Sequence, residues 1–527
     1  MFKLSVIKFK NLFATLPAKW KIVILSLSLV VSSIFIFLFW FSLPNPLFTD
    51  PVSTVLVSNN GTLLGAKIAD DEQWRFPLQH NVPEKFATAI RLFEDKRFFY
   101  HPGVDPIALA RSIYLNLKSK RIVSGGSTLS MQVIRLSRKN PARTYFEKIK
   151  EILLTFRLEL GYSKNEILNL YAANAPFGGN VVGLEAAAFR YFRRSAEKLS
   201  WAESATLAVL PNNPALVHPG RNRNKLKQKR DRLLKRLLDK GFIKDLEYKL
   251  ALIEELPQKP HPLPRKATHL LETLNGTIKK RQTNQHPSFI SSTIDTGIQR
   301  KTARVLKQHS RNLRARGIYN IAALVVDNTS LEVLAYVGNI PADGKTNHGE
   351  AIDLIQSPRS TGSILKPFLF AAMLQNGELL PTTLVSDIPS QYYGYAPENF
   401  DRKYRGALPA TEALAKSLNI PAVRMLKKFG LQRFHDFLEN IGMRTLHRNA
   451  SAYGLTLILG GAEGTLWDIT NMYANVARIA NLGHIQNPEF NEQYQSITTI
   501  KGAQQDTGQR VELNPGSAWL TLEALLE

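Results

Sequence analysis

Hydrophobic and polar positions give this chain three textures. Ile22 to Leu43 is apolar and carries no charged residue. At about 1.5 Å per residue it can cross the roughly 30 Å hydrocarbon core of a bilayer. From Val82-Pro83 the apolar residues recur at helical spacing. Phe86, Ile90 and Phe93 form one stripe, and Pro83 suits a first helical position. Asp105-Pro106 reads as an N-cap with a first-turn proline, opening a second helix through Leu117. Ser127 or Thr128 is expected to cap a third. Over 141–160, Phe146, Ile149, Leu153, Phe156 and Leu160 share one helix face, expected to meet the core. Ser163 with Glu166, and Ser200 with Glu203, match the capping box, and Pro211 ends the helix that the second opens. Leu226, Leu233, Leu237 and Leu238 pattern another helix, closed by Gly241. Residues 83–256 are thus predicted to be almost all helix.

Pro257 to Pro264 (PQKPHPLP) breaks this pattern and reads as a linker. Phe289–Ile294, Ile321–Val326 and Val333–Val337 then look like strands, with helical segments between them. The expected organisation is a tail over 1–21, a membrane helix over 22–43, a helical domain over 44–260, a linker over 261–286 and a mixed α and β domain over 287–527. No internal repeat is evident.

Charge and composition narrow the partners. The 527 residues are 44% hydrophobic, carry a formal net charge of +25 and contain no cysteine. Disulfides, thiolate metal sites and a cysteine nucleophile are excluded. A balance this basic suits nucleic acid, anionic lipid or a polyanionic substrate. Lys3, Lys8, Lys10, Lys19 and Lys21 precede the apolar span, so the tail is expected inside the cell and everything after Pro44 outside. That topology removes nucleic acid and favours membrane lipids or a lipid-linked phosphate. The basic run at 221–236 is either a solvated helix face or a docking face for anionic headgroups.

Candidate chemistry concentrates in two segments. Glu94 to Gly103 reads EDKRFFYHPG, and Gly125 to Gln132 reads GGSTLSMQ. Glu94 falls at a helix end among Phe93, Phe98 and Phe99, where partial desolvation would suit a proton acceptor. In the second segment, glycines and hydroxyls at a helix start suit a phosphate or pyrophosphate. Arg135 adds a cation one turn beyond Gln132. Glu151 lies opposite the apolar stripe of its helix, with Lys148 on the same face.

The ordered set EDKRFFYHPGVDP, GGSTLSMQVIRL, EKIKEILLTFRLEL, ILNLYAANAPFGGNVVGLEAAAFRYF and LSWAESATLAVLPNNP resembles the motifs of the peptidoglycan glycosyltransferases (glycosyltransferase family 51). These form the polymerising domain of class A penicillin-binding proteins. The Met-Gln of GGSTLSMQ and the APFGGN segment look most like the penicillin-binding protein 1C branch. The resemblance covers roughly residues 50–260. It implies a mainly-α, lysozyme-like fold with a membrane-associated jaw, placed at the cytoplasmic (inner) membrane. The implied reaction polymerises lipid II by inverting transfer onto a growing glycan strand, with undecaprenyl pyrophosphate leaving. It implies Glu94 as the base on the acceptor hydroxyl and Glu151 as the acid that helps the pyrophosphate depart. Asp95, Phe98, His101, Gly126, Ser127, Thr128, Gln132, Arg135 and Lys148 would bind substrate. No covalent cofactor is implied. A divalent cation, Mg or Mn, at the pyrophosphate and cell-wall synthesis proteins as partners are compatible with it. Two positions depart from the family pattern and bear on substrate positioning. Glu147 stands where arginine is usual, and Ala172-Ala173 stands where Leu-Asn is usual.

In the second domain, Ser363 and Lys366 have Ser-x-x-Lys spacing within RSTGSILKPF, and Ser417-Leu418-Asn419 follows. On a helix, positions i and i+3 share a face, so the amine can reach the hydroxyl. Both motifs resemble those of penicillin-binding transpeptidases, which implies an α/β (α+β) domain with Ser363 as nucleophile and Lys366 as base. Ser417 and Asn419 would support proton transfer and binding. No Lys-Thr-Gly follows Ser-Leu-Asn; Lys345-Thr346 precedes the serine and continues into Asn347. The expectation is an incomplete transpeptidase domain, truncated before its third motif, with an exposed sheet edge and without efficient acylation. Two rival readings are a glycan-cleaving hydrolase of the same fold, and a non-catalytic cell-wall scaffold.

Overall fold

The computed structural model describes residues 17–77, 81–119, 126–142, 144–211, 220, 222–280, 288–341, 348–392, 394–482, 493–503, 507–510 and 513–527. Lys3, Lys8, Lys10, Gly125 and Lys345-Thr346 lie outside the described residues. Contacts divide the chain into two units. One comprises 1–54 and 67–263, the other 55–66 and 264–527. Each unit is therefore discontinuous in sequence, a feature that patterning around Pro257–Pro264 does not reveal.

The first unit is mainly helical. Helix α1 (Ala18–Trp40) contains the apolar stretch Ile22–Trp40, long and apolar enough to cross a membrane. The helix ends at Trp40, so Phe41–Leu43 continue the apolar run beyond it. There follow α2 (Glu84–Glu94), α3 (Pro106–Ser119), α4 (Leu129–Ser137), α5 (Tyr145–Gly161) and α6 (Lys164–Asn174). Then come α7 (Leu184–Phe192), α8 (Trp201–Val209), α9 (Arg223–Asp239) and α10 (Asp245–Ile253). Local signals account for many of the boundaries. Asp105 Oδ1 accepts from the Ile107 and Ala108 amides, both at 3.0 Å, which opens α3. Both capping boxes form, at Ser163 and Ser200. Gly241 follows α9 with φ +74. Phe86 and Ile90 are buried on α2, which packs against α8 and α9, while α4 packs against α5 and α6.

Helix α5 overturns one expectation. Phe146, Ile149, Leu153, Phe156 and Leu160 are exposed, by 38% at Phe156 to 71% at Phe146. The buried residues of this helix are Leu154, Thr155 and Leu158. Periodicity identifies residues that share a face but not the medium that covers it. Here the more apolar face looks outward, and Glu151 lies on the packed side.

In the second unit, strand Thr54–Val57 pairs in parallel with Phe289–Ser291, Val55 opposite Phe289, and Leu63–Lys67 flanks the other side. Leu56, Leu64, Leu270, Ile290, Val333 and Tyr336 share one core. That core includes residues of α11 (Thr268–Lys280) and is followed in sequence by α12 (Thr296–Arg314). Ala323–Val326 and Val333–Val337 form an antiparallel pair. A larger core gathers α13 (Lys366–Gln375), α14 (Ala410–Ala415), α15 (Asn419–Phe429), α16 (Leu431–Asn440), α17 (Leu466–Leu482) and α18 (Pro515–Ala524).

Candidate active site

Helix α2 ends in Glu94, which delivers its half-buried carboxylate at a helix terminus. Gln132 Nε2 on α4 donates to Glu94 Oε2 at 2.9 Å. One helix over, Lys148 Nζ donates to Ser127 Oγ at 2.7 Å and to Glu151 Oε1 at 2.8 Å. Glu151 keeps 13% of its side chain exposed. Both acids are thus tethered to one short stretch, Ser127 to Gln132, at the start of α4. Thr128 caps that helix: its Oγ1 accepts from the Met131 amide at 3.2 Å.

A carboxylate of the protein lies at this helix start. Asp95, 5% exposed, accepts from the Leu129 amide at 3.0 Å through Oδ2. His101 Nε2 lies 3.0 and 3.1 Å from the two Asp95 oxygens, and His101 Nδ1 accepts from the Gly103 amide at 3.2 Å. A nitrogen accepting from an amide carries no hydrogen, so Nε2 is the donor to Asp95. Thr128 Oγ1 also donates to the Gly103 carbonyl. Gly103 has φ +92, and a Cβ there would lie 2.6 Å from Thr155 Cγ2. Gly126 packs close to α3, where a Cβ would come within 3.0 Å of Leu109 Cα. Asp95, His101, Thr128 and Phe98 are therefore buried and engaged within the protein, and Gly126 serves close packing. In this structure they hold EDKRFFYHPG against α4. The Leu129 and Met131 amides at this helix start are paired with Asp95 Oδ2 and Thr128 Oγ1. Ser127, Gln132, Arg135 and Lys148 remain the candidates for substrate contact.

Other residues join the site without a motif to announce them. Glu159 Oε1 takes the Ser130 hydroxyl and, at 2.8 Å, Lys164 Nζ; Lys164 also donates to the His101 carbonyl at 2.7 Å. Tyr171 is buried in the field of Glu94, and burial first, then that carboxylate, pushes its hydroxyl well above the usual tyrosine range. Lys229 on α9 also feels Glu94; burial lowers its amine below the usual lysine range and Glu94 opposes this. Glu147, at the first departure from the family pattern, pairs with Arg138 at 2.7 Å.

The second unit assembles the other motif set. Ser363 lies in the turn before α13, and Lys366 begins the helix, so the shared helical face expected of them is a turn-to-helix step. Lys366 is 4% exposed, and burial lowers its amine to about 8. Its Nζ donates to the Ser417 carbonyl at 2.6 Å, Ser417 Oγ at 3.2 Å and Asn419 Oδ1 at 2.8 Å. Ser417 holds φ +51, a conformation uncommon outside glycine and often kept at functional positions. Asn399, which no motif marks, is 3% exposed and accepts from the Asn419 amide at 2.9 Å.

Comparison with known proteins finds two domain families in order along the chain. A family model described as Transglycosylase matches residues 60–238, and one described as Penicillin binding protein transpeptidase domain matches 321–518. The chain belongs to the class A penicillin-binding proteins. It is 35% identical over 444 residues to penicillin-binding protein 1C of Escherichia coli (strain K12), spanning 84% of this chain and 56% of that protein. It is 27% identical over 425 residues to penicillin-binding protein 1F of Bacillus subtilis (strain 168), spanning 78% and 57%. The chain thus spans a little over half the length of these relatives. Among solved structures, penicillin-binding protein 1A from Haemophilus influenzae aligns over 88% of this chain and 71% of that one, with 18% identity and a TM-score of 0.43. Within the family, the 1C branch read from GGSTLSMQ and APFGGN agrees with the first of these relatives.

Proposed function

We propose that this penicillin-binding protein polymerises lipid II into glycan strands at the outer face of the cytoplasmic membrane. The observation that carries the reading is the convergence of two separately held carboxylates on Ser127–Gln132. Glu94, oriented by Gln132, takes the proton of the acceptor hydroxyl as that oxygen attacks the anomeric carbon of the donor. The bond to pyrophosphate breaks on the opposite face, which inverts the centre. Lys148 and Arg135 offset the charge that develops on the leaving undecaprenyl pyrophosphate, with Ser127 and Glu151 holding the ammonium in place. One carboxylate together with phosphate oxygens and water is a donor set that suits Mg or Mn, and Glu151 would be its protein ligand. Such an ion would neutralise the same leaving group.

The exposed apolar face of α5 supports seating in a membrane. Arg157 on that helix donates to the Trp40 carbonyl at 2.7 Å and stacks on the Trp40 ring at 4.2 Å, tying α5 to the end of α1. With the lysines before Ile22, this favours an inside N-terminus and catalysis outside. In the second unit the reading commits to the assembled part only, Ser363, Lys366, Ser417 and Asn419.

Supplying the full chain with lipid II and, separately, with purified sacculi tests the proposal. Polymer from lipid II, abolished in Glu94→Gln, is expected. Muropeptide release from sacculi with no polymer would establish hydrolysis instead. Unchanged biological activity in Glu94→Gln would establish a scaffold.

A further inference from the structure

Outside both motif sets, α16 carries His435, Asp436 and Glu439. Their ligand-capable atoms all lie within 4.8 Å of one another. His435 is 5% exposed, and its Nε2 lies 3.0 Å from the Arg448 carbonyl oxygen. A carbonyl only accepts, so Nε2 bears the hydrogen. In the neutral ring Nδ1 is then a bare lone pair. That atom is buried and has no hydrogen-bond partner. It faces Asp436 Oδ1 and Glu439 Oε2, each at 3.7 Å. A lone pair and two carboxylates directed at one point repel each other unless a cation lies between them.

We propose that His435, Asp436 and Glu439 bind a divalent transition metal of the zinc class. Ligands about 2.0–2.2 Å from zinc lie roughly 3.3–3.7 Å apart, so the cluster needs only small side-chain rotations to close on an ion. One imidazole and two carboxylates suit zinc better than calcium or magnesium, which prefer oxygen alone. Outer contacts already orient the ligands. The Arg448 carbonyl fixes the histidine tautomer, and Gln432 Nε2 donates to Asp436 Oδ1 at 2.7 Å. The Arg448 guanidinium stacks 4.5 Å from the Tyr453 ring. Asp436 and Glu439 have side chains 55% and 48% exposed, which leaves room for water to complete the coordination.

The site uses no residue of either motif set and acts as a staple. It links α16 to the Arg448 segment through one imidazole, and α16 packs against α13, which begins with Lys366. The probe is zinc alone, dialysed against the full chain in detergent and counted per chain, with cobalt substituted for its visible absorption. Wild type is expected to hold one ion more than the Asp436→Asn/Glu439→Gln double variant, or to bind it at least about tenfold more tightly. Its thermal midpoint should rise with zinc and fall back with chelator. Both substituted side chains are at the surface, so the double variant should fold and unfold at the metal-free wild-type midpoint. His435→Gln should abolish the cobalt band that an imidazole ligand produces. Equal zinc stoichiometry and affinity in wild type and double variant would overturn the proposal. So would no zinc uptake by wild type.

Discussion

Glu94 and Glu151 differ in what holds them, and that difference can be measured. Glu94 is steered by a neutral amide, Gln132, whereas Glu151 is neutralised by Lys148. Gln132→Ala should lower kcat roughly 10-fold to 100-fold by letting the base wander, with little change in unfolding. Lys148→Met should lower kcat by about 100-fold and leave the thermal midpoint within a few degrees of wild type. Asp95→Ala should behave differently. It leaves the Leu129 amide and His101 Nε2 without their partner in the interior, costing roughly 2–4 kcal/mol, so its midpoint falls along with its activity. Away from the chemistry, burial raises the Glu185 carboxyl to about 7, while the Ala196 amide opposes the shift. Its folded value exceeds the unfolded one, so the charged form costs stability as pH rises from about 4.5 to 7. Glu185→Gln should therefore match wild type near pH 4 and exceed it by roughly 1–3 kcal/mol at pH 8, read by chemical denaturation. The place of Glu94 at a helix end was legible because the apolar stripe of Phe86, Ile90 and Phe93 stops there. The positional roles of Asp95 and His101 were not, because spacing does not say which side of a loop is buried.

Elements were legible by type and less so by orientation. Caps at Asp105, Ser163 and Ser200 formed as their local chemistry required, since each bond spans only three residues or fewer. The outward turn of the α5 stripe could not be read from the helix itself. Leu153→Glu with Phe156→Glu should leave thermal stability nearly unchanged and weaken flotation with anionic liposomes; a large loss of stability would show that this face is covered by protein. The basic run on α9 also divides once folded. Lys225 and Lys227 are exposed, but Lys229 is half-buried near Glu94. Arg230, 1% exposed, donates to the Glu254 carbonyl at 2.6 Å. The run therefore does not present all its cations on one exposed face. Arg230→Ala should cost roughly 2–4 kcal/mol through its orphaned carbonyls, whereas Lys225→Glu with Lys227→Glu should change only salt-dependent lipid binding.

At the scale of the molecule, the two units interrupt each other in sequence. Residues 55–66 lend strands to the unit that resumes at Pro264. A fragment beginning at Pro264 should therefore unfold at lower denaturant than one carrying residues 50–67 joined to it, because Ile290 and Leu270 lose Leu56 and Leu64 as core neighbours. By itself the sequence determined the membrane-length apolar helix, the succession of capped helices, the change of texture after Pro257 and the ordered motifs of both domains. Those depend on composition and on contacts within about one helical turn. Only the tertiary structure decided that the α5 stripe faces outward, that Asp95 is the anion at the start of α4, that Lys229 and Tyr171 lie near Glu94, and that 55–66 belongs with the second unit. Each of these depends on which distant segment covers a surface, and burial, unlike helical period, is a property of the neighbours and not of the residue.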